Sequence, residues 1–271
     1  MDQDVSAGPE SRGAGPVRVG ALTSPELAGL LAGRPDEVGL LPVGATEQHG
    51  PHLPVATDTI LATAICEAAS AATGAPVLPA VAIGASFGHG RSFAGTLSLT
   101  PEQLAAQVRQ VAEWAAGWGL GRLLLFNGHF GNTAALAVAT DHLRLERPDL
   151  RVGVTSWWEV DASAAGELFA DGTDVHANRA ETSLMLAVAP DMVRTGLLGE
   201  ADDEDRTAGL VFRYTATELS RNGVTGQPSK ASAELGERLL AAAVAGLIER
   251  VERGRRESPV VLPPGPAGSR Q

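Results

Sequence analysis

Short apolar runs alternate along this chain with longer alanine-rich segments of helical spacing, and this alternation restricts the fold more than any other feature. The runs Val38–Val43, Pro76–Val81, Arg122–Phe126 and Arg151–Val154 are apolar apart from the opening Arg122 and Arg151, as strands buried on both faces are. Between and after them, Asp58–Ala72, Pro101–Ala116, Asn132–Glu146 and Ala231–Arg253 carry the spacing of helices. Thr100, Pro101 and Gln103 form a capping-box start, and Gly117 and Gly119 mark the end of that helix. Strands alternating with helices predict an α/β layered fold with a mainly parallel sheet. Ligands of such sheets collect at the carboxyl ends of the strands, where the polar motifs of this sequence fall.

Composition narrows the function. With 271 residues the chain is long enough for one large domain without disulfide staples. Its single cysteine, Cys66, excludes a disulfide framework and a cysteine-based zinc cluster. Lys and Arg number 21 against 32 Asp and Glu, a formal charge of −11, which argues against nucleic-acid binding. No apolar stretch is long enough to span a membrane, and the acidic, Gly/Pro-rich N-terminus is unlike a secretory signal, so a cytoplasmic protein is expected. Residues 1–16 and 257–271 are expected to be disordered tails around one domain at 17–256. The acidic run Glu200–Asp205 reads as a solvated loop.

Three segments carry the chemistry. In Thr46–Asp58, Glu47 and His49 stand two apart, so an extended backbone points both side chains the same way. With Asp58 one loop later, this set suits Zn²⁺, Mn²⁺ or Fe²⁺, and a two-oxygen carboxylate can bridge two ions. The plainer alternative is a polar loop with Asp58 as a helix cap, against which so many ionisable groups beside a core strand weigh. In the second segment, Phe126–Asn132, a strand delivers His129 at the sheet's edge and Asn132 can cap the next helix; His129 is a metal ligand or a hydrogen-bonded turn residue. The third, Asp174–Leu186, places His176 in a loop and Glu181 in the first turn of a helix starting near Arg179. His176 is a general acid/base candidate. Glu181 suits metal ligation, orientation of another ligand, or compensation of the helix dipole. His89, Trp157 and Trp158 are candidates for a pocket wall; His142 reads as a surface residue, His52 as a loop-shaping one and Cys66 as inert. The Gly84–Gly88 segment has the spacing of a nucleophile elbow, but a further Gly-rich stretch follows where a helix would be needed.

Glu47-Gln48-His49-Gly50-Pro51-His52-Leu53-Pro54 with Thr57-Asp58 resembles the creatininase (creatinine amidohydrolase) family. The likeness continues through Phe93-Ala94-Gly95-Thr96, Asn127-Gly128-His129, Gly131-Asn132, His176-Ala177, Glu181-Thr182-Ser183 and Asn222–Pro228, spanning about Leu40 to the last helix. The resemblance implies a three-layer α/β/α sandwich, a homo-oligomer (a hexamer) and one or two divalent metals per subunit. Carried over, Glu47 and His129 would hold one ion and His49 the other, with Asp58 bridging. A metal-bound hydroxide would then attack the C–N amide carbon of a small or cyclic amide, with His176 catalytic. The alternatives are a peptidase trimming a short modified peptide, as in mycofactocin maturation, or a silent member serving as a binding scaffold. Creatininase itself carries a glutamate two residues after the second-motif histidine. Here Gly131 stands there, as in formamide hydrolases and the mycofactocin peptidase, leaving the second ion to Glu181 or water, or weakly held. The loop around His89 and the Asn178 that replaces an expected glycine are further departures.

Overall fold

The computed structural model describes residues 15–258; most of both expected tails, residues 1–14 and 259–271, lies outside them. Its elements run α1 (Ser24–Leu31), β1 (Val38–Val43), α2 (Thr57–Thr73), α3 (Pro101–Gly117), β2 (Arg122–Asn127), α4 (Thr133–Glu146), β3 (Arg151–Ser156), α5 (Ala162–Leu168), α6 (Arg179–Val188), α7 (Leu198–Ala201), α8 (Ala216–Leu219) and α9 (Ala233–Arg256). The strands pair in parallel in the order β1-β2-β3, with Val38 opposite Arg122 and Arg122 opposite Arg151.

Strand alternation sorts the core into two halves. Val38 and Leu40 of β1 and Phe126 of β2 face one side, against Leu61 and Ile65 of α2, Leu184 of α6 and Leu239 of α9. Leu41, Val43, Leu123 and Leu125 face the other, against Val108 of α3 and Leu136 of α4. The result is a three-layer α/β/α sandwich with helices on both faces of the sheet, which is why the middles of its strands are apolar.

Two local expectations need correction. Pro76–Val81 is not a continuous strand. Val77 bridges to Leu40 and Val81 to Val43, so four residue steps face three in β1, and the extra one forms a bulge. Pro76 and Pro79 have no N–H to continue a ladder there. Asn132 precedes α4, but its side chain makes no capping bond. Instead Oδ1 accepts from Ala85 N at 2.9 Å and Nδ2 donates to Gly44 O at 3.0 Å, tying three loops together.

The acidic run is solvated only in part: Glu200, Asp202 and Glu204 are exposed, but Asp203 and Asp205 turn inward. Asp203 is 9% exposed and accepts from Arg206 Nη2, Ser220 Oγ and Arg221 N, at 2.6, 2.9 and 2.9 Å. Asp205 accepts from Thr173 N and Thr207 N, and Asp202 from Ser229 N. These acids pin the 200–230 segment beside the sheet's carboxyl edge. Thr100 and Gln103 do form the capping box of α3. Cys66 is fully buried in α2, where burial pushes its thiol up, and His142 is half exposed beside Glu146. Among the described residues no helix is long and apolar enough to cross a membrane.

Candidate metal centre

Three elements converge at the carboxyl edge of the sheet. The chain leaving β1 brings Glu47 and His49, and Asp58 follows in the first turn of α2. Asp58 caps nothing: the cap position is Ala56, which has no side-chain oxygen to offer. His129 follows β2 directly, its N–H donating to Asn127 Oδ1 at 3.0 Å. His176 comes from the loop before α6, which is tied to the 222–228 segment by His176 N→Thr225 O and Thr225 N→His176 O. The next residue, Ala177, has φ of +50°, a left-handed conformation that costs a residue with a side chain about 1–2 kcal/mol. That turn aims His176 inward and sets Asn178 to cap α6, accepting from Ala180 N and Glu181 N.

Glu47, His49, Asp58, His129 and Glu181 are all buried. Asp58 Oδ1 lies 3.2 Å from His49 Nε2, and Oδ2 lies 3.3 Å from His129 Nδ1, so one carboxylate faces two imidazoles. Glu47 Oε2 is 3.2 Å from His129 Nε2. Three sets of side chains bring ligand atoms within 4.8 Å of one another: Glu47, Asp58 and His129; His49, His176 and Glu181; and Glu47, His89 and His176. Both oxygens of Glu47, His49 Nε2, Asp58 Oδ2 and Glu181 Oε2 are buried without a hydrogen bond. Buried polar atoms are rarely left so; these carboxylates and imidazoles have mainly one another, at 3.1–3.3 Å, a donor set that fits a metal ion.

The electrostatics of the cluster favour positive charge among these groups. Burial opposes the charge of Glu47, yet His129 and His89 hold its carboxyl well below the usual range. Burial also opposes protonation of His49, but Asp58, Glu47 and Glu181 raise it to about 10. His129 rises to about 9, against burial, through Glu47 and Asp58. Glu181 is pushed up to about 7, first by burial and then by Asp58, with His49 opposing. Without a cation, the carboxylates draw protons onto the two histidines instead. His176 differs: burial, then the neighbouring His89 and His49, press it well below the ordinary histidine value.

Every charged or imidazole side chain expected at the site lies in this cluster, and His89 joins it, with Nε2 3.1 Å from Glu47 Oε1. The sequence offers His89 only as a wall candidate, its visible signal a histidine between Gly88 and Gly90 on a loop leaving the sheet. Trp157 and Trp158, candidates for the wall, are core residues and do not line it. Among the described residues the wall is made by Phe87, Phe130, Phe169, Phe212 and Tyr214, while Trp158 backs Phe130 at 4.2 Å between ring centroids. His52 stays outside the cluster, bonded to Thr182 Oγ1 at 2.8 Å and pushed down to about 4 by burial.

Gly131, the position where a glutamate was noted as missing, is closed rather than vacant. A Cβ there would lie 2.2 Å from Ala85 O and 2.4 Å from His129 Nε2. The backbone has drawn into the space a side chain would need.

Comparison with known proteins agrees with this architecture. The mycofactocin precursor peptide peptidase of Mycobacterium ulcerans is 36% identical over 225 residues, covering 79% of this chain and 84% of that protein. The creatinine amidohydrolase of Pseudomonas putida is 33% identical over 250 residues, covering 87% and 96%. A crystal structure of creatinine amidohydrolase (creatininase) superimposes with a TM-score of 0.79 at 33% identity, covering 90% of this chain and 99% of that one. A structure described as creatininase Mn gives 0.73 at 31%, covering 88% and 98%. The model of the creatinine amidohydrolase family matches residues 20–251, and the chain belongs to that creatininase family of hydrolases.

Proposed function

We propose that this protein is a two-metal hydrolase that cleaves an amide C–N bond in a short peptide or peptide-derived substrate. The observation that carries the reading is the cavity above the cluster. It holds about 700 Å³, with Glu47, Asp58, His129, His176 and Glu181 among its lining and an aromatic wall above them. That volume lies within the ~300–1,000 Å³ of sites that engulf drug-sized ligands, and exceeds what a single small ring fills. The likeness to a peptide peptidase points the same way. A small cyclic amide is the second reading, favoured by the likeness to creatinine amidohydrolase. The cost of burying so many polar groups together weighs against a silent scaffold.

The unpaired atoms fit divalent ions. Glu47, Asp58 and His129 would hold one, and His49 and Glu181 the other, with Asp58 beside His49, so that Glu181 serves where Gly131 supplies nothing. Mixed nitrogen and oxygen donors suit Zn, Mn or Fe. Such ions supply Lewis acidity, polarising an amide carbonyl and acidifying a water. His176, the proposed proton carrier, faces the same space with Nδ1 3.7 Å from Glu47 Oε1. The aromatic wall would take the apolar side chains of the substrate and exclude bulk water. We further propose a cytoplasmic homo-oligomer, a hexamer on the family resemblance; exposed Trp114 and Leu145 offer apolar surface for contacts between copies.

The test is a hydrolysis screen of the metal-loaded protein, read by mass spectrometry, against short peptides containing aromatic residues and against cyclic amides including creatinine. Cleavage of peptides with far higher kcat/KM supports the reading. Turnover confined to cyclic amides would replace it with the second one, and turnover of neither would remove both.

A further inference from the structure

Gln48 stands between two candidate ligands in sequence and controls two other histidines in space. Its Oε1 accepts from Gly50 N at 2.9 Å, and its Nε2 donates to Gly223 O at 2.8 Å. Both partners are backbone groups of fixed polarity, so the amide has only one workable orientation. Gly223 has φ of +83°, and a Cβ there would lie 1.9 Å from Gln48 Oε1; the clamp closes only on glycine.

The second proton on Gln48 Nε2 faces His89 Nδ1 at 3.0 Å. That ring nitrogen must therefore accept, and the ring's proton sits on Nε2. The main-chain carbonyl of the same Gln48 meets His176 Nε2 at 2.7 Å. A carbonyl can only accept, so His176 also carries its proton on Nε2 and turns a bare Nδ1 to the site. One residue thus assigns opposite roles to two rings whose centroids are 4.4 Å apart. His89 offers an N–H, His176 a lone pair.

Both atoms lie near Glu47 Oε1, at 3.1 and 3.7 Å, and in the ion-free protein the His89 N–H faces that carboxylate oxygen. The three atoms border a shared space at the cavity floor. We infer that Gln48 sets complementary tautomers on His89 and His176, and that His89 Nε2–H is the donor that holds the scissile carbonyl oxygen. In the reaction, a water oxygen bonds to the amide carbon and its proton passes to His176 Nδ1. The carbonyl electron pair moves onto the oxygen, which takes a hydrogen bond from His89. On collapse the C–N bond breaks, and His176 returns the proton to the departing nitrogen. The tautomer also removes one of the three clusters from consideration as a metal site. A nitrogen carrying a proton has no lone pair to give, so Glu47, His89 and His176 do not bind an ion together.

The inference rests on the hydrolase reading, but its first test needs no substrate. Nitrogen NMR of imidazole-labelled protein, metal-free and cadmium-loaded, should show His89 protonated at Nε2 and uncoupled to cadmium, with His49 and His129 coupled. Direct cadmium coupling to His89, or its proton on Nδ1, overturns the proposal. Gln48→Glu, whose carboxylate can only accept, should move the His89 proton to Nδ1 without changing metal content; an unmoved proton in a folded variant also overturns it. On the best peptide of the screen, His89→Ala should lower kcat by about 10²–10³-fold, the size of a lost oxyanion donor, with KM and ion count little changed. His89→Gln keeps an N–H and should recover most of the rate. Loss of an ion in His89→Ala, or no recovery in His89→Gln, contradicts the assignment.

Discussion

Gly131→Ala adds one methyl group where the structure has no room for it. The new carbon would start 2.2 Å from Ala85 O and 2.4 Å from His129 Nε2, and neither neighbour is free to yield. Ala85 is held through its N–H by Asn132 Oδ1 at 2.9 Å, and Asn132 in turn is bonded to Gly44 O and Asn127 Oδ1. His129 sits between Asp58 and Glu47, each within 3.3 Å. Forced overpacking of this kind costs about 1–3 kcal/mol. In urea unfolding of the metal-free protein this should lower the midpoint by roughly 0.5–1 M with the slope unchanged. A displaced His129 should also weaken zinc binding about 10–100-fold, the scale of losing a ligand's orientation. Gly131→Glu, which installs the residue of creatininase itself, should behave no better, since its Cβ meets the same atoms. A Gly131→Ala protein with the original midpoint and zinc affinity would refute the claim that this backbone is closed, and a gain of affinity in Gly131→Glu would refute it more sharply.

Three further outcomes follow from the same geometry. His176→Ala should keep its metal but lose about 10²–10⁴ in kcat, read by turnover beside elemental analysis, because the group carries a proton and not an ion. Metal affinity should rise with pH: below about 9 the apo protein holds protons on both His49 and His129, which an incoming cation must displace. The gain is about tenfold per pH unit for each proton released, and a competition titration between pH 6 and 8 that stays flat would contradict it. Asp203→Ala should destabilise the fold by about 1–3 kcal/mol through the groups it leaves unpaired, measured by thermal or urea unfolding. Burial opposes the Asp203 charge, but Arg206, Arg221 and Ser220 lower its pKa to about 2. Its contribution is therefore complete above the unfolded carboxylate value near 4 and fades as pH falls toward 2.

Much of this was legible in the residues themselves. β1, β2 and the starts of α3 and α6 could be read from apolar runs and caps, because local preference and burial agree there. Glu47, His49, Asp58, His129 and His176 were visible because charged and imidazole groups seldom collect beside core strands without a task. The roles of His89 and Gln48 were not, since both depend on contacts across the fold: Gln48 reaches Gly223 and His89, which lie 175 and 41 residues away in sequence. Glu200–Asp205 misled in part, for the opposite reason. A run of acids looks solvated until Ser220, Arg221 and Thr173 arrive from elsewhere to bond with it. Pro76–Val81 has the composition of a strand, but its prolines cannot complete the ladder.

The central proposal is that Glu47, His49, Asp58, His129 and Glu181 would hold two divalent ions, with Asp58 serving both. Elemental analysis of the protein purified without chelators, beside Asp58→Ala, tests it most directly. The account expects about two Zn, Mn or Fe per chain and near-complete loss of both in a folded Asp58→Ala variant. No bound metal after reconstitution, or an Asp58→Ala protein that keeps both ions, would contradict it.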